Sequence, residues 1–428
     1  NIVINICLQG GIMENNHIIC IDLKSFFASC ECIRLNKDPF SYPLVVANPN
    51  QGDGAITLAV TPYLKSLGVP SRGRVFEIPK NIKYDTIMPH MNYYIQKSKE
   101  VVSVYLDYVS KEDLHIYSID ECFLDVTHYL KLYQKTDYEL AKEILAKVYE
   151  KTHLTATAGI GTNMLLAKVS MDIEAKHTKD NISKWTYADV EKKLWKISPL
   201  SDMWGIGRNM ERNLNKMGIF SIEELAKTNP GILKDKFGVM GLELWNHANG
   251  IDTSKISDFN SQAKDKSYSN SQVLFKDYNE KNIFIIINEM IDNLCARLRN
   301  SNKECQNFGL GIGYSKNTPG GFYHNIKLDS PTDKNNELIK YASIIFDRFY
   351  EGLPIRKVTV CAGSLKDKKG TQLNLFENYE TIKKDDEINL TIDRIKQKYG
   401  KNSVLKASSL LEDSTIKERN KKVGGHNA

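Results

Sequence analysis

Residues 18–176 alternate short β-branched runs with amphipathic segments, and this alternation constrains the fold of the chain more than any other feature. Ile18–Asp22 (IICID) has the length and composition of a strand and leads into SFFASCE, which is predicted to be a helix. The same order recurs where Thr155–Ile160 (TATAGI) precedes a helical pattern over Asn163–Lys176. Alternating strand and helix signals of this kind predict an α/β domain.

The pattern changes after about residue 176. Up to about Gly250 the sequence predicts short helices broken by glycine and proline, without a long strand. From Ser267 the signals follow the order β-α-β-β-α-β, which is the ferredoxin-like arrangement, and the polar segment Asn260–Asp265 before it is predicted to be a linker. The predicted fold class is therefore a multidomain chain with α/β and α+β parts. A length of 428 residues fits this, because single cores stop growing near about 250–300 residues.

Composition and charge narrow the classes of protein to which the chain can belong. Hydrophobic residues make up 41% and charged residues 26% of the chain, which is typical of a folded globular protein. With 58 Lys and Arg against 52 Asp and Glu, the net charge of +6 permits a polyanionic partner such as nucleic acid. The longest apolar stretches fall far short of the roughly 20 residues that cross a bilayer, so no membrane partner is predicted.

Two features bear on the compartment. Eight cysteines occur without a CxxC pair, which favours free thiols in a reducing cytosol. Residues 1–16 begin with an apolar stretch but lack the basic region and cleavage site of a signal peptide. The chain is therefore predicted to be cytoplasmic, with residues 1–16 treated as a leader of doubtful status.

Acidic residues stand at the ends of predicted strands in the α/β part. Asp22 ends the first strand, and the pair Asp120-Glu121 lies in a tight turn between two later strands. Carboxylate oxygens are the ligands that Mg²⁺ prefers, and two such ions can stabilise the attacking and leaving oxygens of a phosphoryl displacement. The same residues would also serve as ordinary turn, cap or surface carboxylates. Taken alone, the carboxylates leave both interpretations open.

Three motifs in this order resemble the palm motifs of Y-family (translesion) DNA polymerases: IDLKSFFASCE, YSIDECFLDV and TATAGIGTNMLLAKVSMDIEAK. The resemblance runs from about Ile18 to the C-terminus and is closest to the UmuC/ImpB/MucB branch of mutagenesis proteins in its Gram-positive form. It implies a right-hand polymerase fold. The implied parts are a palm (17–27 and 90–175), small fingers (28–89), a helix-hairpin-helix thumb (176–258), a ferredoxin-like little finger (266–366) and a tail (367–428).

The resemblance also assigns roles to the acidic residues. Asp22, Asp120 and Glu121 correspond to the catalytic carboxylates of the family. With the backbone carbonyl of Leu23, they are implied to hold two Mg²⁺ ions.

Further residues of the α/β part correspond to nucleotide contacts of the family. Phe27, five residues after Asp22, stands where the family has a steric gate, a side chain that clashes with a ribose 2′-hydroxyl and so favours dNTP over NTP. Phe26 beside it is expected to pack inward. Lys168 is implied to meet the triphosphate as a point charge. Thr61 and Lys65 are implied to lie over the phosphates, although the residues between them depart from the Tyr-Glu-Ala-Arg pattern of many members.

Two further motifs point to macromolecular partners. The turn Gly205-Ile206-Gly207 within MWGIGRNMERNLNKMGI is typical of a helix-hairpin-helix, whose glycines and helix N-terminus let backbone N–H groups approach a DNA phosphate. A glycine-rich helix connection without a ligand would look the same. An apolar peptide in the tail resembles the bacterial peptide that binds the sliding clamp, the β subunit; its anchor residues are Gln372, Leu373, Leu375 and Phe376.

The function implied by the resemblance is low-fidelity, template-directed DNA synthesis past lesions, in DNA repair and SOS mutagenesis. The implied partners are primer-template DNA, dNTP, the sliding clamp, and RecA-type or other SOS accessory proteins. The alternative is a non-catalytic or partner-dependent accessory protein that binds DNA and the clamp. A nucleotidyl cyclase with a similar palm is disfavoured because a cyclase needs neither the hairpin nor the clamp peptide.

Overall fold

The structure, a computed structural model, describes residues 16–259, 266–368 and 379–427. Two compact units divide the chain, Asn1–Gln262 with His426–Ala428, and Ala263–Gly425. The predicted linker Asn260–Asp265 and residues 1–15 of the predicted leader lie outside the described residues. Among the helices that the structure describes, none is long and apolar enough to cross a membrane.

Short strands and helices alternate through the first unit. Its strands are β1 (Ile18–Leu23), β2 (Leu44–Val46), β3 (Ile56–Thr57), β4 (Ala59–Val60), β5 (Gly73–Arg74), β6 (Asp85–Ile87), β7 (Leu114–Ile116), β8 (Glu121–Asp125), β9 (Ala156–Gly161) and β10 (Ile182–Trp185). Its helices are α1 (Phe26–Arg34), α2 (Pro62–Ser66), α3 (Met91–Tyr105), α4 (Leu130–Tyr133), α5 (Asp137–Thr152), α6 (Met164–Ile173), α7 (Arg208–Asn215), α8 (Ile222–Lys227), α9 (Pro230–Phe237), α10 (Val239–Ala248) and α11 (Ile256–Phe259).

The main sheet of this unit has the strand order β10-β9-β1-β8-β7. Strand β1 runs antiparallel to both of its neighbours, and its apolar residues are buried because helices or loops cover both faces of a central strand. The predicted alternation of strand and helix is confirmed. One strand, β10, was not predicted, because it lies in the region where the sequence shows no long strand. It has only four residues at the edge of the sheet, too few to give a recognisable strand pattern.

Helix α6 lies unusually close to the main sheet. A Cβ atom added to Gly159 would lie 2.1 Å from the carbonyl oxygen of Ala167, so the glycine of TATAGI is required by the close approach of helix and strand. One side of α6 packs on β1 through Met164 and Met171, and another side joins the core of the helical region 187–248. The helix is therefore held on two sides, which fixes the direction of its remaining polar side chains.

The small sheets of residues 44–87 form a separate layer. Strands β4, β2 and β6 make one sheet and β3 pairs with β5 in another. Their own small core is distinct from that of the main sheet; its residues are Val45, Ala47, Ala55, Val60, Leu64, Val69 and Ile78.

The second unit has one antiparallel sheet covered by two helices. Its elements are β11 (Tyr268–Tyr278), α12 (Ile283–Asn300), β12 (Lys303–Tyr314), β13 (Gly321–Thr332), α13 (Asn335–Phe349) and β14 (Ile355–Asp367). The strand order is β11-β14-β12-β13, and both helices pack their apolar sides on one face. The predicted β-α-β-β-α-β order is confirmed.

Residues 379–425 are a folded part of the second unit, where the sequence predicts only a charged tail. They form α14 (Tyr379–Tyr399), α15 (Ile416–Arg419) and β15 (Lys422–Val423), and the last strand, β16 (His426–Asn427), is assigned to the first unit. Asp393 of α14 forms a bidentate ion pair with the Arg299 guanidinium. The Nε–Oδ2 distance is 2.6 Å and the Nη2–Oδ1 distance is 3.2 Å. Such a forked pair orders the segment, and no local sequence pattern signals it because its partners are 94 residues apart.

Candidate active site

The strand register brings the predicted acidic residues to one end of the main sheet. Asp22 of β1 lies directly opposite Glu121 of β8, and the Leu23 N–H donates to the carbonyl oxygen of Asp120 over 3.0 Å. Directly opposed side chains of antiparallel strands project from the same face, with Cβ atoms about 4.5–5.5 Å apart. The Asp120 carboxylate in turn accepts a 2.6 Å hydrogen bond from the Ser118 hydroxyl.

This end of the main sheet, the acidic end, holds Asp22, Asp120 and Glu121 close together. Burial and mutual repulsion make the charged form of Asp22 unfavourable there. The pKa of Asp22 is raised from 3.8 to about 6, chiefly by burial; the charges of Asp120 and Glu121 also raise it, and Lys176 opposes them. Glu121 is buried, and it accepts a 3.3 Å hydrogen bond from the Cys20 thiol. A cation in contact with these carboxylates would remove the repulsion.

Two lysines neutralise the acids in this structure. The Nζ of Lys168 lies 2.8 Å from Oε1 of Glu121 and 3.0 Å from Oδ2 of Asp172. Lys168 is only 8% exposed, so it is engaged with carboxylates rather than presented to a triphosphate as the sequence predicts. Lys176 is more exposed and lies 3.5 Å from Oδ2 of Asp22. Burial lowers the pKa of Lys176, but the charges of Asp22 and Asp172 outweigh burial and raise it.

Lys176 and Asp172 are site residues that sequence reasoning missed. The signal was present, because Lys168, Asp172 and Lys176 recur at intervals of four residues and so lie on one helical face.

The donor set has the chemistry of a magnesium site but is not assembled as one. Within 16–259, 266–368 and 379–427, no three acidic, histidine or cysteine side chains are placed to hold one ion. Lysines stand where the positive charge of an ion would be. Oxygen donors and their mutual repulsion nonetheless fit a divalent cation, provided that the lysines move aside.

The aromatic pair after β1 faces two directions. Phe26 is buried in the core beneath the sheet, whereas Phe27 is half-buried. The Phe27 ring stacks on Tyr94 of α3, with 4.6 Å between centroids and 21° between planes. Tyr94 is itself fixed, since its hydroxyl donates to the buried Glu31 carboxylate over 2.6 Å. Neither Tyr94 nor Glu31 was predicted, although Glu31 ends the SFFASCE motif.

The two predicted contacts from the small sheets differ in placement. Thr61 is fully buried, and its hydroxyl accepts a hydrogen bond from the Leu44 N–H over 3.3 Å, so this side chain does not face a nucleotide. Lys65 is exposed on α2. Its pKa is lowered chiefly by loss of solvent, but also by Lys176, and raised by Asp22. The structure therefore brings Lys65, and not Thr61, near the acidic end.

The glycine-rich turn lies between a short 3₁₀ helix (Leu200–Asp202) and α7. Gly205 has a φ of +93°, which favours glycine, and Gly207 stands at the N-terminus of α7 with open space around its Cα. Ile206 between them is buried and anchors the turn. The neighbouring Trp204 donates from Nε1 to the Tyr117 hydroxyl over 3.3 Å, which holds the hairpin beside the acidic turn.

Comparison with known proteins gives the chain its family. The impB/mucB/samB family model matches residues 21–172, its helix-hairpin-helix motif model matches 187–219, and its C-terminal domain model matches 265–375. A Bacillus subtilis (strain 168) protein named as a UV-damage repair protein, UvrX, is 38% identical over 414 residues, covering 96% of this chain and 97% of that protein. The chain belongs to the Y family of translesion DNA polymerases.

Other members of the Y family agree with this. The protein named DNA polymerase IV 2 from the same B. subtilis strain is 31% identical over 418 residues, covering 97% of this chain and 99% of that protein. A Y-family DNA polymerase chimera of Dbh and Dpo4 superimposes with a TM-score of 0.63 at 20% identity, covering 82% of this chain and 99% of the chimera. The right-hand fold class predicted from the sequence is thereby confirmed.

The matched ranges of this Y-family chain contain most of the site. The first model spans Asp22, Phe27, Asp120, Glu121 and Lys168. Lys176 lies just beyond that span. The predicted clamp-binding residues Gln372, Leu373, Leu375 and Phe376 lie outside the described residues.

Proposed function

We propose that this Y-family DNA polymerase adds deoxynucleotides to a primer 3′-hydroxyl opposite damaged template bases. The placement of Asp22 directly opposite Glu121, with Asp120 adjacent, carries the proposal. These carboxylates and the carbonyl of Leu23 would hold two Mg²⁺ ions. When bound, such ions supply charge stabilisation to the oxygens of a phosphoryl transfer.

The lysines and Phe27 would select and orient the nucleotide. Lys176 is better placed than Lys168 to meet the triphosphate, because it is the more exposed of the two and its distance to Asp22 is the longer, 3.5 Å. Lys65 would add a second positive charge from the small sheets. Phe27 would stand against C2′ of the sugar, held flat by its stacking on Tyr94.

The remaining proposals concern DNA and partners. The Gly205–Gly207 hairpin would contact the duplex through backbone N–H groups, which position DNA without reading its sequence. The peptide at residues 372–376 would bind the sliding clamp. We further propose a cytoplasmic protein that acts in SOS mutagenesis together with RecA-type or other accessory proteins.

Primer extension past an abasic site or a thymine dimer tests this function. Wild-type protein should extend the primer beyond the lesion, and Asp120→Ala should lose incorporation. Asp125→Asn is a matched control, because Asp125 lies at the other end of β8 and its amide replacement can still accept from the Thr127 N–H. Undiminished incorporation by Asp120→Ala would remove the site assignment. DNA and clamp binding by wild type without incorporation would favour the non-catalytic alternative.

A further inference from the structure

A ladder of alternating charges connects the two strands that carry the acids. Asp172 uses each of its carboxylate oxygens for a different lysine, with Oδ2 3.0 Å from Lys168 Nζ and Oδ1 2.7 Å from Lys176 Nζ. On their other sides Lys168 reaches Glu121 at 2.8 Å and Lys176 reaches Asp22 at 3.5 Å. Asp172 is thus the one carboxylate of the ladder that does not lie on the strands.

An ordinary ion pair on the surface would not indicate a function, because such pairs contribute little to the stability of the fold. This arrangement differs in burial, because the side chain of Lys168 is 10% exposed and needs compensation for its lost hydration. It also differs in rigidity. Asp172 stands near the end of α6, a helix whose backbone is held by packing on two sides, while its own side chain is 30% exposed.

The lysines and a divalent cation would compete for the same carboxylates, Glu121 and Asp22. When Asp22 and Glu121 turn toward a cation, Lys168 and Lys176 each lose one partner. Asp172 remains available to both. Its two oxygens would keep the ammonium groups at the acidic end instead of releasing them to solvent.

We propose that Asp172 is a positioning residue that retains Lys168 and Lys176 while Asp22 and Glu121 exchange lysine for a divalent cation, and that it thereby aims Lys176 at the nucleotide phosphates. This rests on the proposed function, since it takes Asp22 and Glu121 as the cation ligands. Asp172 itself touches neither cation nor nucleotide.

The test combines Asp172→Asn with Lys176→Met and their double variant. Without the Asp172 charge, the lysines pair more fully with Glu121 and Asp22, so Mn²⁺ binding to the nucleotide-free protein, measured by titration calorimetry, should weaken several-fold. Lys176→Met should strengthen it. In the double variant the effect of Asp172→Asn should shrink, whereas a long-range charge effect would be additive. Additivity in this cycle would overturn the inference.

Steady-state incorporation gives the second measurement. Asp172→Asn should raise KM for dNTP about tenfold, with kcat changed much less, because one charge-assisted contact to Lys176 is lost. Asp172→Glu, which keeps the charge, should recover most of the affinity and also serves if the asparagine variant folds poorly. Asp107→Asn breaks an exposed pair with Lys151 and is the control for losing a surface ion pair.

The two levels of proposal fail differently. If wild-type protein incorporates dNTP but Asp172→Asn leaves KM and Mn²⁺ affinity unchanged, the inference is overturned and the polymerase function stands. If wild type does not incorporate dNTP, the proposed function fails, and the Mn²⁺ cycle still decides whether Asp172 acts through Lys176.

Discussion

Asp22→Asn should stabilise the first unit at neutral pH while it abolishes DNA synthesis. In the metal-free protein Asp22 is charged at the cost of burial and of repulsion by Asp120 and Glu121, and its pKa is raised from 3.8 to about 6. At 1.36 kcal/mol per unit this shift corresponds to at most about 3 kcal/mol of lost stability. The side chain is 23% exposed, so we expect a gain of about 1–3 kcal/mol.

The gain depends on pH with a definite sign. Because the folded-state pKa of Asp22 lies above its unfolded value, stability of the wild type falls as the pH rises from about 4 to about 6. Asparagine carries no charge to bury. The variant should therefore match the wild type most closely near pH 4 and exceed it fully above pH 6.

Urea unfolding followed by tryptophan fluorescence measures the stability gain of Asp22→Asn in the first unit. All four tryptophans, Trp185, Trp195, Trp204 and Trp245, lie in the first unit, so the signal reports on it alone. In chelator-containing buffer at pH 7.5 the urea midpoint should rise by about 0.3–1 M without a change of slope. Added Mg²⁺ should stabilise wild type and not the variant.

Asp137→Asn supplies a control of opposite sign in the same unit. Burial raises the pKa of Asp137, but hydrogen bonds from Lys184 and His17 outweigh burial and the net pKa is lowered. That variant should be destabilised at neutral pH, with a smaller loss as the pH falls. If Asp22→Asn were no more stable than wild type at pH 7.5, or if its gain did not change between pH 4.5 and 7.5, the charge account of the acidic end would be wrong.

Three further variants test other parts of the structure. Phe27→Ala should raise kcat/KM for ribonucleotides relative to deoxyribonucleotides by roughly 10–100-fold; unchanged discrimination in single-nucleotide incorporation would remove the gate assignment. Asp393→Asn leaves the nearly buried Arg299 without its charged partner and should cost the second unit about 3 kcal/mol, measured by circular dichroism because that unit lacks tryptophan. Gly159→Ala places a methyl group 2.1 Å from the Ala167 carbonyl oxygen and should lower the fluorescence-detected urea midpoint by about 1 M; a midpoint like that of wild type would mean that α6 can move away from β9.

The sequence predicted what local patterns encode. Strand and helix order came from periodicity, whereas the role predicted for Asp22, Asp120 and Glu121 came from the resemblance of their motifs; the structure places Asp22 directly opposite Glu121. Asp172 was missed although its four-residue spacing from Lys168 and Lys176 is visible in the sequence, whereas the stacking of Tyr94 on Phe27 joins residues far apart in the chain. Contacts between residues so far apart are set by the tertiary fold and cannot be predicted from a local sequence pattern.

Thr61 shows the opposite failure. The resemblance to the family implied that Thr61 lies over the nucleotide phosphates. Thr61 instead follows β4, which pairs with β2, and it is buried there. Its hydroxyl accepts a hydrogen bond from the Leu44 N–H. A buried polar group of this kind must find a partner, and local sequence does not say which.

The whole chain has a net charge of +6, but the local charge at the acidic end is negative. There Asp22, Glu121 and Asp172 are paired with Lys168 and Lys176, and Asp120 adds a further negative charge that acts on Asp22. Among these six groups two negative charges are left over, which is the charge that one divalent cation would balance. A second cation would then need further negative charge, and a nucleotide triphosphate brings it. For the proposed site we therefore expect binding of one ion alone and of a second ion together with nucleotide, an order that Mn²⁺ titration with and without dNTP would reveal as one site and two sites respectively.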